Sequence, residues 1–222
     1  MGPRQYSAKT KLCYTSVVLN VRQYKLISDQ VEYDELVVII RELERVLAKN
    51  VLGDIVELGC YTGTTSLFIQ RVLLDTKSDR SFHAYDSFEG LPPKVSADMS
   101  TVGEQFVAGE LLASKQQFIK HFKQANLQLP IIHKCWFEEL TISDVPSKIA
   151  FAFLDGDFYT SIASSLAVIT PSLTPGSVIV VDDYHSEALP GAKKATDEWA
   201  RKHRQTVTHT HSVAVIHWKK IY

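Results

Sequence analysis

Cys13, Cys60 and Cys135 are all the thiol the chain carries. An odd count at wide spacing supports neither a disulfide framework nor a zinc site, and it points to reduced thiols in a cytoplasm. Charge of one sign is lacking too. The net charge is -1, so the basic footprint that nucleic acid selects is missing. No apolar run approaches the length of a membrane span. The first residues, Met1 to Tyr6, lack the apolar core of a signal peptide. Tyr6 also breaks the myristoylation pattern that Gly2 would open. Internal repeats and low-complexity segments are absent. What remains is an ordinary composition, 45% hydrophobic over 222 residues, enough for one sizeable α/β domain.

Two apolar runs organise that domain. Ile149 to Leu154 ends in Asp155-Gly156-Asp157, and Ser177 to Val181 ends in Asp182-Asp183-Tyr184. Each reads as a buried strand bounded by turn residues. Carboxylates at the C-terminal ends of such strands lie on the ligand face of an open α/β sheet. If the strands are neighbours, Asp155, Asp182 and Asp183 converge, and their mutual repulsion calls for a cation or protons. An all-oxygen set without Cys or His favours a hard ion such as Mg²⁺. The competing reading is that these carboxylates cap the following helices or face water.

The rest of the chain supplies the surrounding layers. Residues 1–28 read as an N-terminal extension, a lid or an oligomer contact, and residues 29–222 as one domain. A helix is expected from Asp29, as N-cap, to Lys49, with Leu36, Ile39, Ile40, Leu43, Val46 and Leu47 on one face. Ile55 to Leu58 is a strand running into Gly59-Cys-Tyr-Thr-Gly63 and then a helix from Thr64. Such a turn lets a ligand approach the backbone, and the helix N-terminus favours an anion. Ser81 to Tyr85 is a second strand, and Asp86 at its end suits the acceptor of a ribose hydroxyl. Residues 87 to about 109 form a long polar loop, read as a substrate lid. A helix is expected over 109–125, and Ile131 to His133 form a third strand. Trp136 and Phe137 can sandwich a flat ring or serve the core. Helices follow at 158–170 and 191–203. Two paired strands close the chain, with a turn near Ser212, and there His209, His211 and His217 read as surface residues.

Strand and helix alternate, the first turn is Gly-rich, an acid follows the second strand, and an antiparallel pair comes last. This order resembles the class I S-adenosylmethionine (SAM) methyltransferase fold. Val56-Glu-Leu-Gly-Cys-Tyr-Thr-Gly63 resembles the first SAM motif of the catechol and macrocin O-methyltransferase families. Asp86 to Pro92, Trp136-Phe137 with Glu139, Leu154 to Asp157, Val181 to Tyr184 and Gly191 to Glu198 resemble the macrocin family, in its order. The resemblance implies a Rossmann-like, mostly parallel seven-stranded sheet with a C-terminal antiparallel hairpin and helices on both faces.

It also implies roles. Glu57, Gly59, Tyr61, Gly63 and Thr65 would line the methionine part of SAM. Asp86, with Ser87 in the same motif, would take the ribose. Trp136 and Phe137 would flank the adenine, with Glu139 near its amino group. Asp155, Asp182 and Asp183 would hold Mg²⁺, and Asp155 would border both cofactor and chemistry. Asp157 would be the catalytic base. The catechol family differs by an Asn where this chain has Asp183 and a Lys where it has Phe158. Cys135 stands where the macrocin family commonly has Gly, and Leu140-Thr141 where it has Thr-Leu. The implied activity is Mg²⁺-dependent methyl transfer from SAM to a hydroxyl of a small molecule, a sugar or other diol. The implied protein is a cytoplasmic homo-oligomer with no nucleic-acid or membrane partner. A phenolic or peptide acceptor, and a non-catalytic SAM-fold interaction subunit, are the alternatives.

Overall fold

A computed structural model describes residues 21–219, over which the elements are numbered here. Residues 1–20, most of the expected N-terminal extension, lie outside the described residues. Seven strands form one sheet in the order β3-β2-β1-β4-β5-β7-β6. They are β1 (Asp54–Leu58), β2 (Phe82–Asp86), β3 (Ile131–Lys134), β4 (Ile149–Leu154), β5 (Leu173–Val181), β6 (Thr208–Thr210) and β7 (Val213–His217). Pairs β2–β3, β1–β2, β1–β4 and β4–β5 are parallel, whereas β7 runs antiparallel to β5 and to β6. The strand order reverses between β1 and β4, so a crevice opens there at their C-terminal ends.

The two-residue period of the strands sorts the core into layers. In β4, Phe151 and Phe153 pack with Val178 and Val180 of β5 against helices α1 (Tyr33–Ala48) and α2 (Thr64–Asp75). On the other face Ala152, Leu154, Ile179 and Val181 meet helices α4 (Tyr159–Ile169) and α5 (Pro190–Lys202) through Ile162, Leu166 and Trp199. All six β4 side chains are buried, and each large one stabilises the fold by about 1.5–3 kcal/mol relative to exposure. Helix α3 (Lys115–Gln124) sits apart, with Phe118 and Phe122 packed on Cys60, Leu67 and Phe88.

Several expected boundaries move. Helix α1 starts at Tyr33, not after Asp29, because Glu32 and Glu35 form a reciprocal capping box. Residues 28–32 before it are irregular, with bends at 29–31, and Ser28 hydrogen bonds Thr64 at 2.8 Å. Helix α3 starts at Lys115, not Gly109. Gly109 and Leu111 have φ of 87° and 54°, which a helix cannot contain, and the Ser114 hydroxyl accepts from Gln117 N as the true N-cap. His217 is not simply a surface residue: its Nε2 lies 2.9 Å from the buried Glu42 of α1.

Candidate functional site

Gly59 ends β1 with φ of 94°, and a Cβ there would sit 1.7 Å from the Asp155 carbonyl oxygen. Only glycine lets β1 and β4 come this close at the crevice. The following turn is held from outside. Asp86 Oδ2 accepts the N–H groups of Cys60 and Tyr61 at 2.9 and 3.0 Å, and its Oδ1 accepts from Phe88 N at 2.7 Å. Asp86, read from sequence as a ribose acceptor, therefore also fastens the Gly-rich turn. Gly63, with φ of 94°, then starts α2 with Phe118 packed 2.9 Å from where a Cβ would be.

Beyond this turn lies a cleft of about 800 Å³, counted out to open solvent. Gly59, Tyr61, Asp86, Ser87, Trp136, Phe137, Asp155, Asp157 and Asp183 all line it. Glu57, Gly63, Thr65, Glu139 and Asp182 do not reach the lining. Glu57 and Thr65 are buried behind the turn, whereas Glu139 is exposed. The opposite wall is the loop read from sequence as a substrate lid, whose lining residues that reading did not name. Leu91, Pro92, Phe106 and Leu111 come from the long loop and Leu189 from the segment before α5. Apolar residues in an otherwise polar loop were the available signal. Gln30 reaches the cleft from the segment before α1, and no lysine or arginine lines it among the described residues.

Of the three carboxylates expected to converge, Asp155 and Asp183 do so, with Asp157 in the place expected for Asp182. Asp155, Asp157 and Asp183 each place an oxygen within 4.8 Å of the others, the one such group among the described residues. Asp157 and Asp183 have φ of 57° and 54°, a left-handed conformation that Asp tolerates better than most residues and that recurs at functional sites. Asp182 is buried beside them, its Oδ1 accepting from Asp183 N at 2.9 Å. Burial and then the Asp182 charge raise Asp155 and Asp183 well above the usual carboxylate range. Burial, and then Asp182 and Asp86, push Asp157 up to about 7. Burial and then Glu35 push Asp182 up to about 7.

The strand-end loop is clasped from α5. Tyr184 donates its hydroxyl to Asp197 at 2.7 Å and accepts from Lys193 at 3.0 Å. The string from Gly191 to Glu198 thus holds the residues next to Asp183 in place. Deeper, the Ser66 hydroxyl donates to Glu57 Oε2, while Oε1 is buried without a partner. Burial, joined by the Asp86 charge and partly offset by Ser66, pushes Glu57 up to about 8.

A sequence profile of the macrocin O-methyltransferase (TylF) family matches residues 34–220. The chain belongs to this family. Among curated relatives, the TylF-family chain is 32% identical over 158 residues to the 8-demethyl-8-(2,3-dimethoxy-alpha-L-rhamnosyl)-tetracenomycin-C 4'-O-methyltransferase of Streptomyces olivaceus, covering 68% of this chain and 60% of that protein. It is 28% identical over 175 residues to the demethyldecarbamoylnovobiocin O-methyltransferase of Streptomyces niveus, covering 72% and 63%. The chain thus spans somewhat under two thirds of the length of these relatives. Among solved structures, the O-methyltransferase NovP superposes with a TM-score of 0.74 at 24% identity, over 86% of this chain and 81% of that one. The calicheamicin methyltransferase CalS11 superposes with a TM-score of 0.68 at 16% identity, over 99% of both chains. At these identities the superpositions establish the class I methyltransferase fold.

Proposed function

We propose that this TylF-family chain transfers a methyl group from SAM to a hydroxyl of a small molecule, a sugar or other diol-bearing natural product, with a divalent cation at the carboxylates. The observation that carries this reading is the group of Asp155, Asp157 and Asp183 at the floor of the same cleft that Trp136 and Phe137 line. The named relatives are O-methyltransferases, and one of them has a rhamnosyl group in its substrate's name.

The residues present fit both groups. An all-carboxylate donor set suits a hard dication such as Mg²⁺; Asp155 and Asp183, which line the cleft, would hold it, with Asp182 buried beside them as the third member of the expected set. The cleft lined by Gly59, Tyr61, Asp86, Ser87, Trp136 and Phe137 suits SAM, whereas Glu57 stays behind the turn. A bound dication would supply Lewis acidity to the acceptor oxygen and fix its position. The chain's own part is as follows. Trp136 and Phe137, which line the cleft, would flank the adenine, and Asp86 and Ser87 would take the ribose. Leu91, Phe106, Leu111 and Leu189 exclude water and contact the rest of the acceptor. Asp157, beside the carboxylates that would hold the cation, would take the hydroxyl proton. Orientation of the oxygen toward the methyl group contributes most of the acceleration.

Isothermal titration of SAM, with Mg²⁺ and with EDTA, tests the cofactor site. Binding is expected in both, and absence of binding in both sinks the methyltransferase reading. Methylation of a diol-bearing acceptor should then stop in excess EDTA; a wild-type rate there sinks the cation. The same reading takes the protein as a homo-oligomer, and a concentration-independent monomer mass by light scattering would refute that.

A further inference from the structure

The cation reading leaves one charged side chain unexplained. Glu35, in the first turn of α1, lies far from the strand ends in sequence, yet its carboxylate accepts the Ser212 hydroxyl, whose oxygen lies 3.4 Å from Asp182 Oδ1. Resting on that reading, we propose that Glu35 and Ser212 are positioning residues of the cation site. Ser212 ties Asp182 to the start of α1, and the Glu35 charge strengthens the hold of Asp155, Asp182 and Asp183 on a divalent cation.

The connection is a short chain of named contacts. Glu35 Oε2 accepts the Glu32 N–H at 2.8 Å and completes the helix cap. That leaves Oε1, which accepts the Ser212 hydroxyl. The same hydroxyl oxygen lies 3.4 Å from Asp182 Oδ1. The Ser212 carbonyl accepts from His185 N at 3.0 Å, so the β6–β7 turn is locked to the loop that carries Asp182 and Asp183. One hydroxyl proton serves one carboxylate at a time. Ser212 therefore links the orientation of Asp182 to that of Glu35.

A helix cap needs one carboxylate oxygen, so the second contact goes beyond what helix α1 requires. Outer groups of this kind orient metal-binding carboxylates and tune affinity. An extra anion also attracts a dication, the more so the shorter the separation. Glu35 follows Gln30, which lines the cleft, by five residues. The segment that meets the acceptor and the group that adjusts the cation are thus carried by one stretch of chain.

The test is Mn²⁺ titration of the full chain, stripped of metal and free of SAM and acceptor, read by electron paramagnetic resonance of the unbound ion. Glu35→Gln should weaken binding by on the order of tenfold. Ser212→Ala should weaken it in the same direction, and Ser212→Thr, which keeps the hydroxyl, should restore it. Circular dichroism of each metal-free variant establishes that it is folded. Should Glu35→Gln disturb the cap, the Ser212 pair, which leaves the cap intact, carries the test. Folded variants within about twofold of the wild type would overturn the inference while leaving the cation site standing. A wild type that binds no Mn²⁺ would overturn both.

Discussion

Asp157 and Asp86 show how much one carboxylate's surroundings decide. Asp157 stands among other acids at the floor of the cleft, raised to about 7 by burial. Asp157→Asn keeps its size and removes its basicity. Turnover should fall by about 10²–10⁴-fold while SAM affinity, measured by titration, holds. Undiminished turnover would take Asp157 out of the mechanism. Asp86 is different, because it already accepts three backbone N–H groups. Asp86→Asn turns an amide donor toward those donors or leaves some unpaired. We expect a loss of about 1–3 kcal/mol in urea unfolding without any ligand. An unchanged unfolding midpoint with weakened SAM binding would show that Asp86 serves the ribose alone. The sequence marked both residues as site carboxylates from their place at strand ends. It could not mark the second task of Asp86, since the amides of Cys60 and Tyr61 meet it only when β1 and β2 pair.

The long loop is the element whose character changed most between sequence and structure. Its length and polarity read as a lid, yet it is pinned in several places. Asp98 is fully buried, its Oδ1 accepting Tyr159 N at 2.6 Å at the start of α4 and its Oδ2 accepting Val95 N at 2.9 Å. Gly191 has no Cβ, which would otherwise sit 1.8 Å from Asp98 Oδ1. Leu91, Phe158 and Leu189 form a small core there with Phe106 and Leu111 against it. The neck is closed by Leu91 N to Glu110 O and Gly109 N to Leu91 O, at 2.8 and 2.9 Å. These contacts make the loop a fixed wall of the cleft. Asp98→Ala should cost about 1–3 kcal/mol and open the loop to limited proteolysis. Cleavage at the wild-type rate would mean that the wall does not depend on this anchor. The anchors were illegible beforehand because Asp98, Tyr159 and Gly191 belong to three separate stretches of a polar-looking pattern.

For the whole molecule, two buried sets give opposite pH dependence. Glu57 is raised from 4.5 to about 8, mainly by burial. The folded state therefore keeps a proton between pH 4.5 and 8 that the unfolded chain has lost. Its contribution to stability falls as pH rises through that window. His83 and His133, stacked with ring centroids 5.3 Å apart, are lowered below 6.5, mainly by burial. Their contribution is present above 6.5 and is lost as pH falls below it. Between pH 6.5 and 8 the histidines no longer contribute to the slope, and Glu57 acts together with Asp155, Asp157, Asp182 and Asp183, which burial raises in the same direction. Glu57→Gln, which keeps an acceptor for Ser66, should flatten the slope of stability in that window relative to wild type. The check is the urea midpoint at pH 6.5 and 8 in one buffer with EDTA. Parallel slopes for mutant and wild type would show that Glu57 is ionised in the fold.

The alternation of strands and helices, the Gly-rich turn and the carboxylates at two strand ends follow from local pattern, and the chain determined these by itself. Hydrophobic period and turn chemistry act within a few residues, so one dimension suffices to read them. Tertiary structure alone decided that β1 lies beside β4 and that Asp157 joins Asp155 and Asp183 within 4.8 Å. It also turned the long loop into a wall and brought Glu35 to Ser212. Those outcomes depend on strand order and on contacts between distant segments. They are set by packing the whole core at once, which no single stretch encodes.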